Sequence, residues 1–274
     1  MSSNKLSMGE QCIEFENRFA KFQERKYAVM FNSGSSANLA ILQSLMNLGR
    51  IQKGDDCLFS SVTWSTNVMP IIQLGLNPIP SDIDLSNLNV GSNELLSAIN
   101  DNKKIKIFFL SNILGFCSDI DQVKKICEEK NIILIEDNCE SLGTEYKNIK
   151  LGNFGVASSC STYVGHHMST IEGGVVFTDD DDLFNMLKMV RAHGWNRNLN
   201  EELKVNLRNE HSVDKFYDMY TFYDLAFNIR PNEITAFIGN RQLNYLSNNI
   251  DRREEIFLKL NELANKNNKI IPIN

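Results

Sequence analysis

Groups that could hold a metal are sparse in this 274-residue chain. It has four histidines and six cysteines (Cys12, Cys57, Cys117, Cys127, Cys139 and Cys160), widely scattered and without a CxxC pair. That spacing offers a structural zinc or an iron–sulfur cluster nothing to build on, so no metal is expected and the thiols read as small buried hydrophobes. No run of eighteen apolar residues occurs, and the opening M-S-S-N-K-L-S lacks the apolar core of a signal peptide. A membrane role is therefore not expected, and the cytoplasm is the default location. Positive charge is not in excess either. Lysine and arginine total 28 against 34 aspartates and glutamates, a net charge of −6. Nucleic acids and anionic membranes are poor partners for such a chain, whereas an anionic small molecule can still be held by backbone dipoles. Repeats and low-complexity tracts are absent as well.

What is present is length enough for a substantial core, 42% hydrophobic residues, and a regular alternation of patterns. Helices are expected over residues 12–23, 33–47, 65–74, 93–99, 120–130 and 181–190, and strands over 26–31, 56–61, 77–81, 105–111, 132–136, 155–160 and 175–178. The run at 132–136 is nearly all apolar, as in a strand covered on both faces. Strand–helix alternation at this spacing predicts an α/β domain with a largely parallel sheet. Residues 196–220 are polar and weakly periodic, and read as a long excursion. A helix over 232–246 follows Pro231, which suits a first-turn position, and a charged helix begins near residue 250. Residues 271–274 look like the start of another element.

Four features can carry chemistry, and each also has an ordinary reading. N-S-G-S-S-A-N at 32–38 permits a tight turn at Gly34, with Ser35 and free helix N–H groups able to hold phosphate; the same turn is often only a helix cap. Asp137 stands at the carboxyl end of a strand, where ligands of open α/β sheets bind, and Glu140 is three residues on. A carboxylate there can pair with a protonated heterocycle or serve as a cap. Trp64 offers a flat ring to a cofactor or to the core. His166 and His167 are adjacent, and imidazole moves protons near neutral pH.

Taken together, these segments resemble the sugar aminotransferase family of fold-type I pyridoxal-phosphate proteins, which act on nucleotide-linked keto sugars. The matching pieces, in the family's order, are M-G-E at Met8, N-S-G-S-S-A-N at Asn32, V-T-W-S-T at Val62 and E-D-N-C-E-S at Glu136. S-T-Y-V-G-H-H-M-S-T-I-E-G-G at Ser161, R-A-H-G-W at Arg191 and F-N-I-R-P-N-E at Phe227 follow. In that family the lysine that binds the cofactor covalently stands six residues before the glutamate of E-G-G and five after a phosphate-binding serine. Counted from Glu172 or from Ser161, the position is His166. Histidine there is similar to the 3-dehydratase branch. A related branch with an iron–sulfur cluster draws its cysteines from later in the chain, and here none follows Cys160.

The resemblance implies a mixed, mostly parallel sheet flanked by helices, with pyridoxamine or pyridoxal phosphate as cofactor. Gly34, Ser35 and Ser161 would hold its phosphate, together with Asn228 from the partner subunit of a homodimer. Trp64 would stack on its ring, Asp137 would pair with the ring nitrogen and Glu140 would lie close by. His166 would be the catalytic base, and His193 and Arg197 would face the nucleotide-sugar. The activity implied is removal of the C3 hydroxyl of GDP-4-keto-6-deoxy-D-mannose, with L-glutamate restoring the amine form of the cofactor, in colitose biosynthesis. A nucleotide-sugar aminotransferase-like protein and a non-catalytic shortened homologue are the alternatives. Residues 1–249 are expected to form the large cofactor-binding domain. Residues 250–274 would be the truncated start of a small C-terminal domain that is otherwise absent.

Overall fold

The computed structural model describes residues 5–267, 269, 270, 272 and 273. Its first helix, α1 (Glu10–Gln23), leads into β1 (Tyr27–Phe31), α2 (Gly34–Asn47), β2 (Asp56–Ser60), α3 (Ser65–Gln73) and β3 (Asn77–Ser81). Next come α4 (Ser92–Asp101), β4 (Ile105–Ser111), α5 (Ile120–Lys130), β5 (Ile133–Asp137) and the short hairpin β6 (Glu145–Tyr146) and β7 (Ile149–Lys150). The remainder is β8 (Ala157–Ser161), β9 (Gly174–Thr178), α6 (Asp181–Val190), α7 (Glu201–Glu210), α8 (Glu233–Gln242) and α9 (Leu246–Asn265).

Seven strands form one sheet in the order β1-β9-β8-β5-β4-β2-β3. Strands β3, β2, β4, β5 and β8 pair in parallel, while β9 runs antiparallel to both β8 and β1. Six strands therefore point the same way, and their carboxyl ends line one edge of the sheet. The central strands are covered on both faces, which is why β4, β5 and β9 read as largely apolar runs rather than as alternating ones. Ile107 and Phe109 of β4 pack with α2 on one face, and Phe108 and Leu110 pack with α4 and α5 on the other. On that second face α1 adds Phe15 and Phe19 against Phe177 and Val175 of β9. The 3.6-residue spacing of Cys12, Phe15 and Phe19 creates the stripe that meets them.

The predicted strands and most helices fall within one or two residues of the observed ones. Four differences have local causes. The excursion contains α7, which buries no residue, so a core-facing period could not reveal it; the Asn200 side chain caps it by accepting the Leu203 N–H. The hairpin β6–β7 is too short to leave a pattern. Pro231 lies outside its helix, because Asn232 is the cap and accepts from the Thr235 N–H. The helix expected over 232–246 ends at Gln242, and the next runs unbroken from Leu246 to Asn265. Of the element expected at 271–274, Ile271 and Asn274 lie outside the described residues.

Candidate active site

At the carboxyl edge of the sheet lies a cleft of ≈ 380 Å³. Every parallel strand except β3 delivers a residue or a following turn to it. Gly34 and Ser35 come after β1, Thr63 and Trp64 after β2, Ser111 and Asn112 from the end of β4, Asp137 from β5 and Ser161 from β8. This is where an open α/β sheet exposes helix N-termini and strand ends together.

The end of the cleft at Gly34 is built by close approach. Gly34 opens α2 and Ser33 caps it, its Oγ accepting the Ser36 N–H at 3.1 Å. A Cβ on Gly34 would stand 2.6 Å from that of Ser161. A Cβ on Gly174, which pairs with both Phe31 and Ser161, would stand 2.1 Å from the Ser33 carbonyl oxygen. Only hydrogen atoms fit at these two places, so the first N–H groups of α2 remain open beside two serine hydroxyls. Helix N-termini of this kind attract anions.

Next to it stands Asp137, buried to 7% exposure. Its Oδ2 accepts from Asn38 Nδ2 at 2.8 Å and Asn67 Nδ2 at 2.7 Å, and its Oδ1 accepts the Cys139 N–H at 2.9 Å. The neighbouring Glu136 points away and is fully buried; it accepts the N–H groups of Gly152, Phe154 and Gly155 at 2.7–2.8 Å. Trp64 is 70% exposed, so its ring lies open over the cleft rather than in the core. Glu140 lines the cleft and accepts the Leu114 N–H at 3.0 Å. Cys139 lines it too, but burial first and the Asp137 carboxylate second push its thiol far up, so it stays protonated and is no nucleophile.

His166 enters from the loop between β8 and β9. Thr162 and Thr170 close the neck of that loop: the Thr162 N–H donates to the Gly173 carbonyl at 2.9 Å, the Thr170 N–H to the Thr162 carbonyl at 2.8 Å, and the two hydroxyls meet at 2.6 Å. His166 lines the cleft, whereas His167 does not. His167 is partly buried, with Nδ1 unpartnered among the described residues, and its pKa is pushed down to about 4 by burial, then by Arg253 and His166. Of the two adjacent imidazoles, His166 is the one that faces the cavity. None of the residues lining the cleft is a lysine.

Seven of the ten residues to which the resemblance gives a role converge here: Gly34, Ser35, Trp64, Asp137, Glu140, Ser161 and His166 line the cleft, and Glu172 joins them. Three lie elsewhere in the chain. The Arg197 guanidinium stacks 3.7 Å from the Trp195 ring centroid and donates to the Met219 carbonyl. His193 packs 4.8 Å from the same ring. Asn228 bridges to Ala192 through its backbone, and its Oδ1 accepts from Arg230. Sequence reasoning missed Asn38, Asn67, Thr63, Ser111 and Asn112. Asn38 sits one helical turn past Gly34, on the inward face of α2, which was a usable signal; Asn67 had none. No group of His, Cys, Asp and Glu among the described residues is arranged to hold a metal, and no described helix is long and apolar enough to cross a membrane.

A model of the DegT/DnrJ/EryC1/StrS aminotransferase family matches residues 1–274. The chain belongs to this family. Its members with solved structures share the mixed, mostly parallel sheet flanked by helices seen here. A GDP-4-keto-6-deoxy-D-mannose 3-dehydratase of Yersinia pseudotuberculosis is 38% identical over 257 residues, covering 93% of this chain and 64% of that protein. The E. coli GDP-4-keto-6-deoxy-D-mannose-3-dehydratase with bound hydrated PLP superposes with a TM-score of 0.83 at 36% identity, covering 93% of this chain and 66% of that one. A mutant GDP-4-keto-6-deoxymannose-3-dehydratase with bound GDP-perosamine gives a TM-score of 0.84 at 36% identity, with the same coverage. The chain thus spans just under two thirds of the length of these family members.

Proposed function

We propose that this chain works as a pyridoxamine-phosphate-dependent nucleotide-sugar 3-dehydratase. It removes the C3 hydroxyl of GDP-4-keto-6-deoxy-D-mannose, and L-glutamate restores the amine form of the cofactor. The proposed setting is cytoplasmic deoxysugar biosynthesis, leading to colitose in lipopolysaccharide O-antigen. The observation that carries this reading is His166, in place of a lysine, in a cleft that also contains Ser161, Asp137 and Glu172.

The residues present fit the cofactor. The cradle kept clear by Gly34 and Gly174 suits a phosphate. The cavity edge of Asp137 suits a protonated ring nitrogen, and the open face of Trp64 suits a flat ring. Bound there, pyridoxamine phosphate supplies a primary amine for the C4 ketone of the sugar and a ring that takes up electron density. The chain's own part is to bind, orient and move protons. Asp137 favours the protonated ring nitrogen, and Glu140 flanks the ring. His166 cannot make the covalent bond that a lysine makes, but its imidazole could act as base, taking a proton from the C4′ carbon that carries the cofactor's amine, and then pass that proton to the C3 hydroxyl, which would leave as water.

A second copy of the chain completes the site. Asn228, His193 and Arg197 all stand outside their own cleft, on a surface with exposed Tyr217, Tyr220 and Phe222. In a homodimer they would serve the neighbouring cleft, Asn228 at the phosphate and the other two at the nucleotide-sugar.

The test is incubation with pyridoxamine phosphate, L-glutamate and GDP- or CDP-linked 4-keto-6-deoxy sugars, with products read by mass spectrometry. Loss of one oxygen from the GDP-linked sugar is expected. An amino sugar would identify an aminotransferase instead, and failure to bind pyridoxamine phosphate would identify a non-catalytic homologue.

A further inference from the structure

The buried side of Asp137 is occupied by two asparagines from separate helices. Asn38 lies in the second turn of α2 and Asn67 in the first turn of α3, and both are essentially inaccessible to solvent. Each points an amide N–H at the same oxygen, Oδ2, while Oδ1 takes the Cys139 N–H. A carboxylate has about four lone-pair directions. The two amides fill Oδ2, while Oδ1 takes one backbone N–H, beside the Cys139 thiol, on a side chain that lines the cleft.

The choice of donor is informative. An arginine or lysine at these positions would neutralise Asp137 and remove its attraction for a cation. A hydroxyl could turn and accept instead of donate. An amide N–H does neither: it holds the anion and leaves its charge unspent. The arrangement also has a local cost. The second N–H of Asn38 goes to the Thr66 carbonyl at 3.3 Å, and its Oδ1 has no partner among the described residues. An unsatisfied buried carbonyl costs about 1–3 kcal/mol, and the site carries that cost while both amides donate to Asp137. Turning the amide over would set its oxygen against the carboxylate.

We propose that Asn38 and Asn67 are positioning residues that hold Oδ2 of Asp137 on the buried side and so turn the Oδ1 edge of its carboxylate toward the cleft, where the ring nitrogen of the cofactor would lie. This rests on the cofactor reading above. Because α2 also carries Gly34 at its N-terminus, one helix sets both the phosphate cradle and, through Asn38, the carboxylate that faces the ring.

The test uses pyridoxal 5′-phosphate labelled with 15N in the ring, bound to the intact chain, with the 15N chemical shift followed from pH 6 to 9. The unsubstituted protein should show a protonated ring nitrogen throughout. Asn38→Ala and Asn67→Ala should each lower the pH at which that proton is lost by about one unit, the worth of one hydrogen bond to a charged group. The double variant should lower it further. Asn67→Ser, which keeps a donor, should recover part of the shift and replaces Asn67→Ala if that variant does not fold by circular dichroism. Asp137→Asn separates the two readings. If the nitrogen stays protonated in that variant, Asp137 is not its partner and the cofactor reading of Asp137 fails. If it loses the proton there while folded asparagine variants keep it as the unsubstituted chain does, the inference about Asn38 and Asn67 is overturned and the Asp137 reading stands.

Discussion

The cleft and the segment from His193 to Arg230, which contains the excursion at 196–220, both carry residues singled out from the sequence, yet they are built in opposite ways. The cleft is anchored in the sheet. Asp137 and Glu136 at the end of β5 are buried and held by several donors each, and the chain crosses itself at Gly34 and Gly174 with no room for a methyl group. The excursion rests on the surface. Its helix α7 buries nothing, and Phe216, Tyr217, Tyr220 and Leu225 are exposed. Its internal anchor is Asp218, which accepts from Arg208 at 2.8 Å, Tyr223 at 2.7 Å and Asn196 at 2.6 Å. A region stabilised by its own chain is complete alone. One that leaves aromatic rings and an arginine facing outward is suited to being completed by another surface.

The largest effect is expected in the cleft. His166→Lys should restore a covalent hold on the cofactor, read as pyridoxal phosphate fixed to the chain by borohydride and seen by mass spectrometry. It should also abolish loss of the C3 hydroxyl, a fall of at least 10²–10⁴-fold if the proton carrier is removed. Retained dehydration by this variant would take His166 out of the mechanism and leave the cleft without its defining residue.

This split also explains what could be read beforehand. The strand ends were legible because strands buried on both faces leave apolar runs that stop at the acidic pair Glu136–Asp137. The two donors on Asp137 were not legible, since they lie 99 and 70 residues away in sequence and asparagine has no distinctive spacing. In the excursion α7 escaped because periodicity reports burial, and no residue of α7 is fully buried. His193, Arg197 and Asn228 were visible as motif residues, but no pattern along a single chain says which copy they serve.

The next effect would settle whether the excursion serves a neighbouring cleft. His166→Asn and Asn228→Ala should each be nearly inactive alone. After the two variants are mixed and their subunits exchanged, half the dimers are mixed and each has one intact site, so about a quarter of the activity should return. No recovery, with exchange verified by native mass spectrometry, would mean that Asn228 acts within its own chain or not at all.

Stability should divide along the same line. Gly174→Ala puts a methyl group against the backbone of Ser33 and Gly34, with no flexible side chain to yield. A cost of about 3 kcal/mol is expected, lowering Tm by roughly 5–10 °C and weakening pyridoxal phosphate binding. Phe216→Ala in the excursion removes an 82% exposed ring and should leave Tm within about 1 °C. Equal losses would show that the excursion is as firmly built as the cleft.

The smallest effect concerns the back of the His166 loop. His167 has its pKa lowered to about 4 by burial, and then by Arg253 of α9 and by His166. Its unfolded value is about 6.5, so between pH 6.5 and 4 the unfolded chain binds the proton and the folded chain does not. Stability from this group is therefore complete above about pH 6.5 and declines as the pH falls toward 4. Other titrating groups contribute to the acid slope, so the readout is a difference. His167→Gln, measured by urea unfolding across that window, should lose less stability on acidification than the unsubstituted chain, by at most about 3 kcal/mol. Cofactor affinity at pH 8 should be unchanged, because His167 does not line the cleft. A variant with the same acid slope but weaker cofactor binding would move His167 to the functional side of the loop and make the two adjacent histidines a working pair.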